Sequence, residues 1–184
     1  MDGFKPLEPN FRVDGEDIYL RSISENDAEL ILSWRNSDFV ASKFFYRLPL
    51  SMDEELAWIH GKVETGEVFQ FIVYTKDTDT PIGSVYLQHF DEVENSMEYG
   101  IFMSEDMPEG KSYGTQALRT LTYEFAFKYL NLSSTCGIII KDNTASRRVA
   151  EKTGYIVTGE CIRNTVPDNV PIEAVTVRHN RPAK

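Results

Sequence analysis

The stretch Pro108-Glu109-Gly110-Lys111-Ser112-Tyr113-Gly114-Thr115 constrains this chain more than any other, because a helical pattern begins directly behind it. Leu118, Leu121, Phe125 and Tyr129 follow at spacings of three and four, the apolar stripe of an amphipathic helix. A loop with two glycines that feeds a helix start presents unpaired backbone N–H groups at the positive end of the helix dipole. Such a loop can cradle phosphate. Gly110 and Gly114 let the backbone turn sharply and approach a ligand closely. Two common phosphate motifs do not fit: a mononucleotide P-loop needs four residues between its glycines, and a dinucleotide fingerprint needs G-x-G-x-x-G. The same glycine spacing is also compatible with plain turn chemistry at a strand-to-helix junction.

A second segment bears on that choice. Asn143-Thr144-Ala145-Ser146-Arg147-Arg148-Val149-Ala150-Glu151-Lys152-Thr153-Gly154-Tyr155 reads as a short helix with legible ends. Asp142 or Asn143 can cap its start, and Gly154 suits the left-handed residue that closes a helix. Ahead of it, Cys136-Gly137-Ile138-Ile139-Ile140 is a continuous apolar run, best read as a strand buried on both faces. The order is strand, glycine loop, long helix, buried strand, short helix, strand.

With both segments in hand, the chain resembles the GNAT family of acyl-CoA-dependent N-acetyltransferases. The likeness covers roughly residues 17–163 and is carried by the strand at Met97 to Met103, the loop at Glu109 to Gly114, and the pattern Asn143-x-x-Ser146 with Glu151-Lys152-x-Gly154-Tyr155. Trp34-Arg35-Asn36 is similar to the subgroup containing ribosomal-protein Nα-, spermidine and amino-sugar acetyltransferases. The resemblance implies an α+β fold, a central and mostly antiparallel sheet of about seven strands flanked by about four helices. It also implies acetyl-CoA as cosubstrate and no metal.

Carried onto this sequence, the family's diphosphate loop covers Glu109, Gly110, Lys111, Ser112, Tyr113, Gly114 and Thr115, with the amides of Lys111 through Thr115 as the grip. Backbone near Ile101, Phe102 and Met103 would pair with pantetheine, and an N–H there can serve as oxyanion donor. Asn143 matches the family position that contacts the pantetheine arm. Three departures stand out: Glu109 occupies the Gln/Arg position of the loop, Ser112 its first glycine, and Ala150 the site of the tyrosine that protonates the departing thiolate. A carboxylate near a diphosphate is repulsive unless it turns outward, and Lys111 could offset it. Without that tyrosine, Ser146 is the nearest polar candidate for the acid.

Glu98 is the expected base. Strand alternation sets Glu98, Gly100 and Phe102 on one face and Met97, Tyr99 and Ile101 on the other. A carboxylate amid that apolar stretch is partly desolvated, the setting a general base needs. Glu94, Asp91 and His89 are nearby substitutes, and a solvated or Arg-paired Glu98 is the bland alternative. Trp34, Arg35 and Asn36 are the expected acceptor-side residues, Arg35 by the fit of its fork to a carboxylate or phosphate. Trp34 as core and Arg35 in a surface pair are the competing structural roles. The aromatic run Phe44-Phe45-Tyr46 either lines a pocket or covers the sheet.

Residues 1–16 read as an irregular arm and residues 17–184 as one domain. Residues 17–23 read as a strand. Ser24-x-x-Asp27 and Ser51-x-x-Glu54 resemble capping boxes, the second opening a helix with Leu56, Ile59 and Val63 on its core face. Residues 67–74 and 81–90 read as an antiparallel hairpin, and a final strand is expected near residues 173–177.

With 19 Lys plus Arg against 29 Asp plus Glu, the net charge is −10. That sign disfavours nonspecific binding of nucleic acid and is compatible with a cationic amine, or simply with solubility. Cys136 and Cys161 lack metal or redox spacing, and His60, His89 and His179 lack ligand spacing. The absence of an apolar signal core or membrane-length run suggests a soluble cytoplasmic protein without a membrane partner. The expected partner is a small-molecule amine or a protein N-terminal amine, and a homodimer is in keeping with the family. Two functions compete: an N-acetyltransferase, and a noncatalytic acyl-CoA-binding or regulatory module motivated by Glu109, Ser112 and Ala150.

Overall fold

The computed structural model describes residues 4–183; residues 1–3 of the expected N-terminal arm, and Lys184, lie outside it. The rest of that arm is not wholly irregular. Arg12–Asp14 forms strand β1, paired antiparallel with β2 (Ile18–Ser22) through Val13 and Leu20. Three helices follow β2 in the chain. α1 (Ala28–Arg35) follows a one-turn lead-in where Asp27 accepts the Ser24 N–H at 2.8 Å. α2 (Asp38–Ala41) is capped by the Ser37 hydroxyl, and α3 (Met52–Trp58) by the capping box in which Glu54 accepts the Ser51 N–H at 2.8 Å. Past Trp58 the helix widens to i→i+5 bonding over Ile59–Val63.

The hairpin of β3 (Phe69–Thr75) and β4 (Pro81–Asp91) leads to β5 (Ser96–Met103), and the glycine loop then feeds α4 (Tyr113–Arg119). α4 runs on through Thr120–Tyr129 in the same wider turns before β6 (Ser134–Ile140), α5 (Thr144–Thr153), β7 (Ile156–Asn164) and β8 (Pro171–Asn180). The sheet order is β1-β2-β3-β4-β5-β6-β8-β7, antiparallel except between β5 and β6. That parallel pair is what a helical crossover produces, and α4 is the crossover.

The architecture is the expected α+β one, with eight strands among the described residues instead of about seven and five helices instead of about four. The additional strand is β1, too short to show alternation. The additional helix is α2, a single turn whose cap is its only sequence mark.

Each face of the sheet carries its own core. Under α4 and α5, Phe69, Phe71, Leu87, Met97, Leu118, Leu121 and Phe125 are buried with Tyr99 and Tyr155. Tyr129, expected on that stripe, is 57% exposed and stacks on Phe125 instead, since the wider turns rotate it off the face. Under α1 and α3 a smaller cluster forms around Ile23, Ile31, Val40, Ile59, Ile72 and Phe102. Alternation in β5 therefore sends Ile101 to the first core and Phe102 to the second.

Candidate active site

Strands β5 and β6 pair only at Ser96, Met97 and Glu98 with Ser134, Thr135 and Cys136, although β5 continues to Met103 and β6 to Ile140. Beyond Glu98 they diverge. Just past the last pair, the ring of Tyr99 lies over β6, where a Cβ on Gly137 would stand 2.4 Å from it. The Tyr99 hydroxyl is buried with no partner among the described residues, and burial pushes it well above the usual phenol range. Divergence leaves the β6-side edge of β5 near Ile101, Phe102 and Met103 outside the sheet ladder, where its backbone groups can serve a ligand.

The start of α4 faces this wedge. A Cβ on Gly114 would touch Met103 of β5 at 3.7 Å and Val149 of α5 at 3.5 Å, so the helix end sits between the two. In the loop, Gly110 has φ 105° and Ser112, standing where the family has glycine, has φ 52° and ψ 42°. Ser112 therefore keeps the left-handed turn while carrying the Cβ whose steric penalty glycine avoids. Alternating backbone hand of this kind turns neighbouring N–H groups into one concavity. The Thr115 N–H already donates to the Ser112 carbonyl at 2.9 Å, so the amides ahead of it, through Tyr113 and Gly114, are what the helix start offers.

Glu109 is exposed. The Lys111 ammonium is held by Asp17 and Asp77, each at 3.3 Å, so it braces the loop against β2 and the β3–β4 turn instead of standing free beside Glu109. Gln116 adds to the brace by donating to the Lys111 carbonyl at 2.8 Å and to Asp17 at 3.0 Å. In α5 the Asn143 side chain accepts the Ser146 N–H at 3.2 Å. Ser146 is half-buried one turn ahead of Ala150, which is buried.

On the opposite face, Glu98 is 24% exposed, accepts Gln88 Nε2 at 3.1 Å and lies 3.8 Å from His89 Nδ1. Of its substitutes, Glu94 is paired with Arg178 at 2.9 Å, and Asp91 accepts the Glu94 N–H. The Tyr86 ring covers Gly100, whose Cβ would fall 2.0 Å from it. Burial raises the Tyr86 phenol to about 12, with Arg35 opposing and Glu98 adding to the shift. Trp34 and Phe44 meet Phe102 edge-on at 6.4 and 6.1 Å. Arg35 lies 3.9 Å over the Phe44 ring, a cation–π contact. The Asn36 amide is engaged by the backbone of Leu50 through both its atoms, at 2.9 and 2.8 Å, and ties α1 to the loop before α3.

A family model described as an acetyltransferase (GNAT) domain matches residues 17–156. The chain belongs to the GNAT acetyltransferase family. Solved structures share its fold at low identity. A Vibrio cholerae spermidine N-acetyltransferase, in complex with CoA and spermine, aligns at TM-score 0.79 and 18% identity over 89% of this chain and 95% of its own. A GNAT-family acetyltransferase of Bacillus anthracis gives 0.76 and 16%, over 92% and 98%. A Vibrio cholerae protein assigned as a ribosomal-protein-serine acetyltransferase gives 0.71 and 20%, over 95% and 100%. An uncharacterized protein of Methanocaldococcus jannaschii is 27% identical over 150 residues; these span 79% of this chain and 30% of that protein's length.

Within this GNAT domain, three polar groups escaped the sequence reading. Glu55 is 5% exposed, its Oε1 without a partner among the described residues. Gln70 and Ser84 form a buried chain with Trp58. The available mark for Glu55 was its place four residues before Ile59, on the buried stripe of α3. Elsewhere, His60 meets Glu64 at 2.9 Å and Glu25 at 3.4 Å, an exposed triad whose ligand atoms lie within 4.8 Å of one another. Among the described residues no helix is long and apolar enough to cross a membrane.

Proposed function

We propose that this GNAT protein transfers an acetyl group from acetyl-CoA to a primary amine by direct attack, the amine belonging to a small molecule, an amino sugar or a protein N-terminus. The observation that carries the reading is the divergence of β5 from β6 in front of the α4 start. A diphosphate suits the amides at residues 110–114, and a pantetheine arm suits the free edge of β5. Acetyl-CoA would supply the activated carbonyl as a thioester.

Glu98 takes a proton from the docked ammonium and frees its lone pair. An N–H of β5 near Ile101 donates to the carbonyl oxygen as charge builds there, an effect worth several kcal/mol in a dry site. Ser146 is assigned the return of a proton to the departing sulfur, since it precedes Ala150 by one helical turn and Ala150 has no hydroxyl. Trp34 and Arg35 lie on the acceptor side. A cytoplasmic protein, a homodimer, one domain over residues 17–184 and the absence of nucleic-acid, membrane or metal partners belong to the same proposal.

Thermal shift with CoA and acetyl-CoA, followed by thiol release across polyamines, amino sugars and N-terminal peptides, tests it. Stabilisation by both nucleotides and release with at least one amine is the expected outcome. Stabilisation with no release in any arm favours the noncatalytic acyl-CoA-binding module. No stabilisation by either nucleotide removes both readings.

A further inference from the structure

The acceptor face of the sheet holds three polar side chains that the protein itself leaves unmatched. Arg35 is half-buried, and among the described residues its guanidinium makes no hydrogen bond or ion pair; its contact is the face of Phe44 at 3.9 Å. Glu55 is 5% exposed with Oε1 unpartnered. The Tyr86 hydroxyl has no hydrogen-bond partner among the described residues, and its ring is fixed over Gly100, next to Glu98 on the same face. The three are electrostatic neighbours: Arg35 feels both Tyr86 and Glu55, and Tyr86 feels both Arg35 and Glu98.

Of the three, Glu55 Oε1 is the fully buried unmatched atom; Arg35 and Tyr86 are half-buried, so their polar ends stay open to an incoming group. A buried polar atom without a partner destabilises the fold unless something pairs with it. Arg35 and Glu55 could have relieved each other, yet they do not close to an ion pair. Stacking on Phe44 fixes the guanidinium plane and leaves its N–H fork for something else. A planar fork of five donors suits a carboxylate or a phosphate better than any neutral group.

We propose that Arg35, Tyr86 and Glu55 form an acceptor subsite for an anionic oxygen group, a carboxylate or phosphate, carried on the same molecule as the reacting amine. The inference rests on the acetyltransferase reading and narrows its acceptor. Arg35 and the Tyr86 hydroxyl donate to the anion, while the amine reaches Glu98 beyond Tyr86. Burial raises the Glu55 carboxyl to about 7, so its protonated form, populated at and below neutral pH, leaves the Arg35 charge to the incoming anion. A free guanidinium beside the reacting amine repels a substrate that carries only cations. This subsite therefore turns the chain away from spermine-like acceptors.

Isothermal titration on the CoA-bound protein, run beside thiol release, uses matched pairs: tyrosine against tyramine, glucosamine 6-phosphate against glucosamine, and spermidine alone. The expected result is tighter binding of an anion-bearing member by about 10- to 100-fold over its analogue. The tyrosine and sugar-phosphate arms tell carboxylate from phosphate. Arg35→Gln should collapse that ratio toward one by raising KM, and Arg35→Lys should restore part of it; a merely structural Arg35 would lower both members of a pair alike. Equal binding within both pairs, or preference for spermidine, overturns the subsite. Preference in binding without thiol release in any arm keeps the subsite and removes the acetyltransferase reading.

Discussion

The two faces of the sheet meet at the same wedge but are built differently. On the α4/α5 face the groups proposed to meet a ligand are backbone amides, set by the turn of one loop and backed by a large apolar core. On the α1/α3 face the proposed ones are side chains drawn from four separated places, Arg35, Glu55, Tyr86 and Glu98, over a smaller core laced with Gln70 and Ser84. A backbone cradle recognises what every cofactor of one kind shares. A side-chain wall can change with each substrate while the cradle stays. Division of labour of that sort predicts that damage on one face should spare ligand binding on the other.

Glu98→Gln gives the largest expected separation. It removes the proposed base while keeping the Gln88 contact available, so kcat should fall about 10²- to 10⁴-fold. CoA affinity by calorimetry should stay put; a parallel loss of affinity would show that the faces are coupled. Gly114→Val comes next. The Cβ alone reaches ordinary contact with Met103 and Val149, and two further methyls overpack the helix start. CoA binding should weaken about 100-fold. Near-normal CoA affinity in that variant would move the diphosphate elsewhere.

The third effect is on stability and should leave the proposed CoA site unchanged. Glu55 stands at about 7 in the folded protein, above its ordinary 4.5. The native state thus holds that proton more tightly than the unfolded chain does. Its contribution is full below pH 4.5 and disappears as pH rises through about 7, a change of about 3 kcal/mol at most. Arg35 and Tyr86 keep their charge states across that range. Urea unfolding of the wild type and Glu55→Gln at pH 5 and pH 8 should therefore show the variant gaining relative stability at the higher pH. A difference that does not move with pH would mean that Glu55 is ionised throughout.

The same contrast explains how much was legible. The β5–loop–α4–β6–α5 stretch was readable because glycine spacing, helix caps and a long apolar stripe are local marks, and the Gly154 cap has the expected left-handed φ of 105°. Capping boxes at Ser24 and Ser51 were equally local. Glu55 was hidden because it follows Asp53 and Glu54, where acidic residues normally complement a helix start. Tyr86 alternates with Val85 and Leu87 and so reads as core. Asn36 looked like an acceptor residue, and only the fold reveals its tie to Leu50. The bridge from Tyr46 to Val166 joins segments 120 positions apart, which no local pattern announces.

The most direct measurement is a crystal structure of the protein with CoA. The account predicts diphosphate oxygens within hydrogen-bond distance of the amides at residues 110–114, and the pantetheine chain beside β5 beyond Glu98. CoA seated away from the α4 start, or lying outside the gap between β5 and β6, would contradict it.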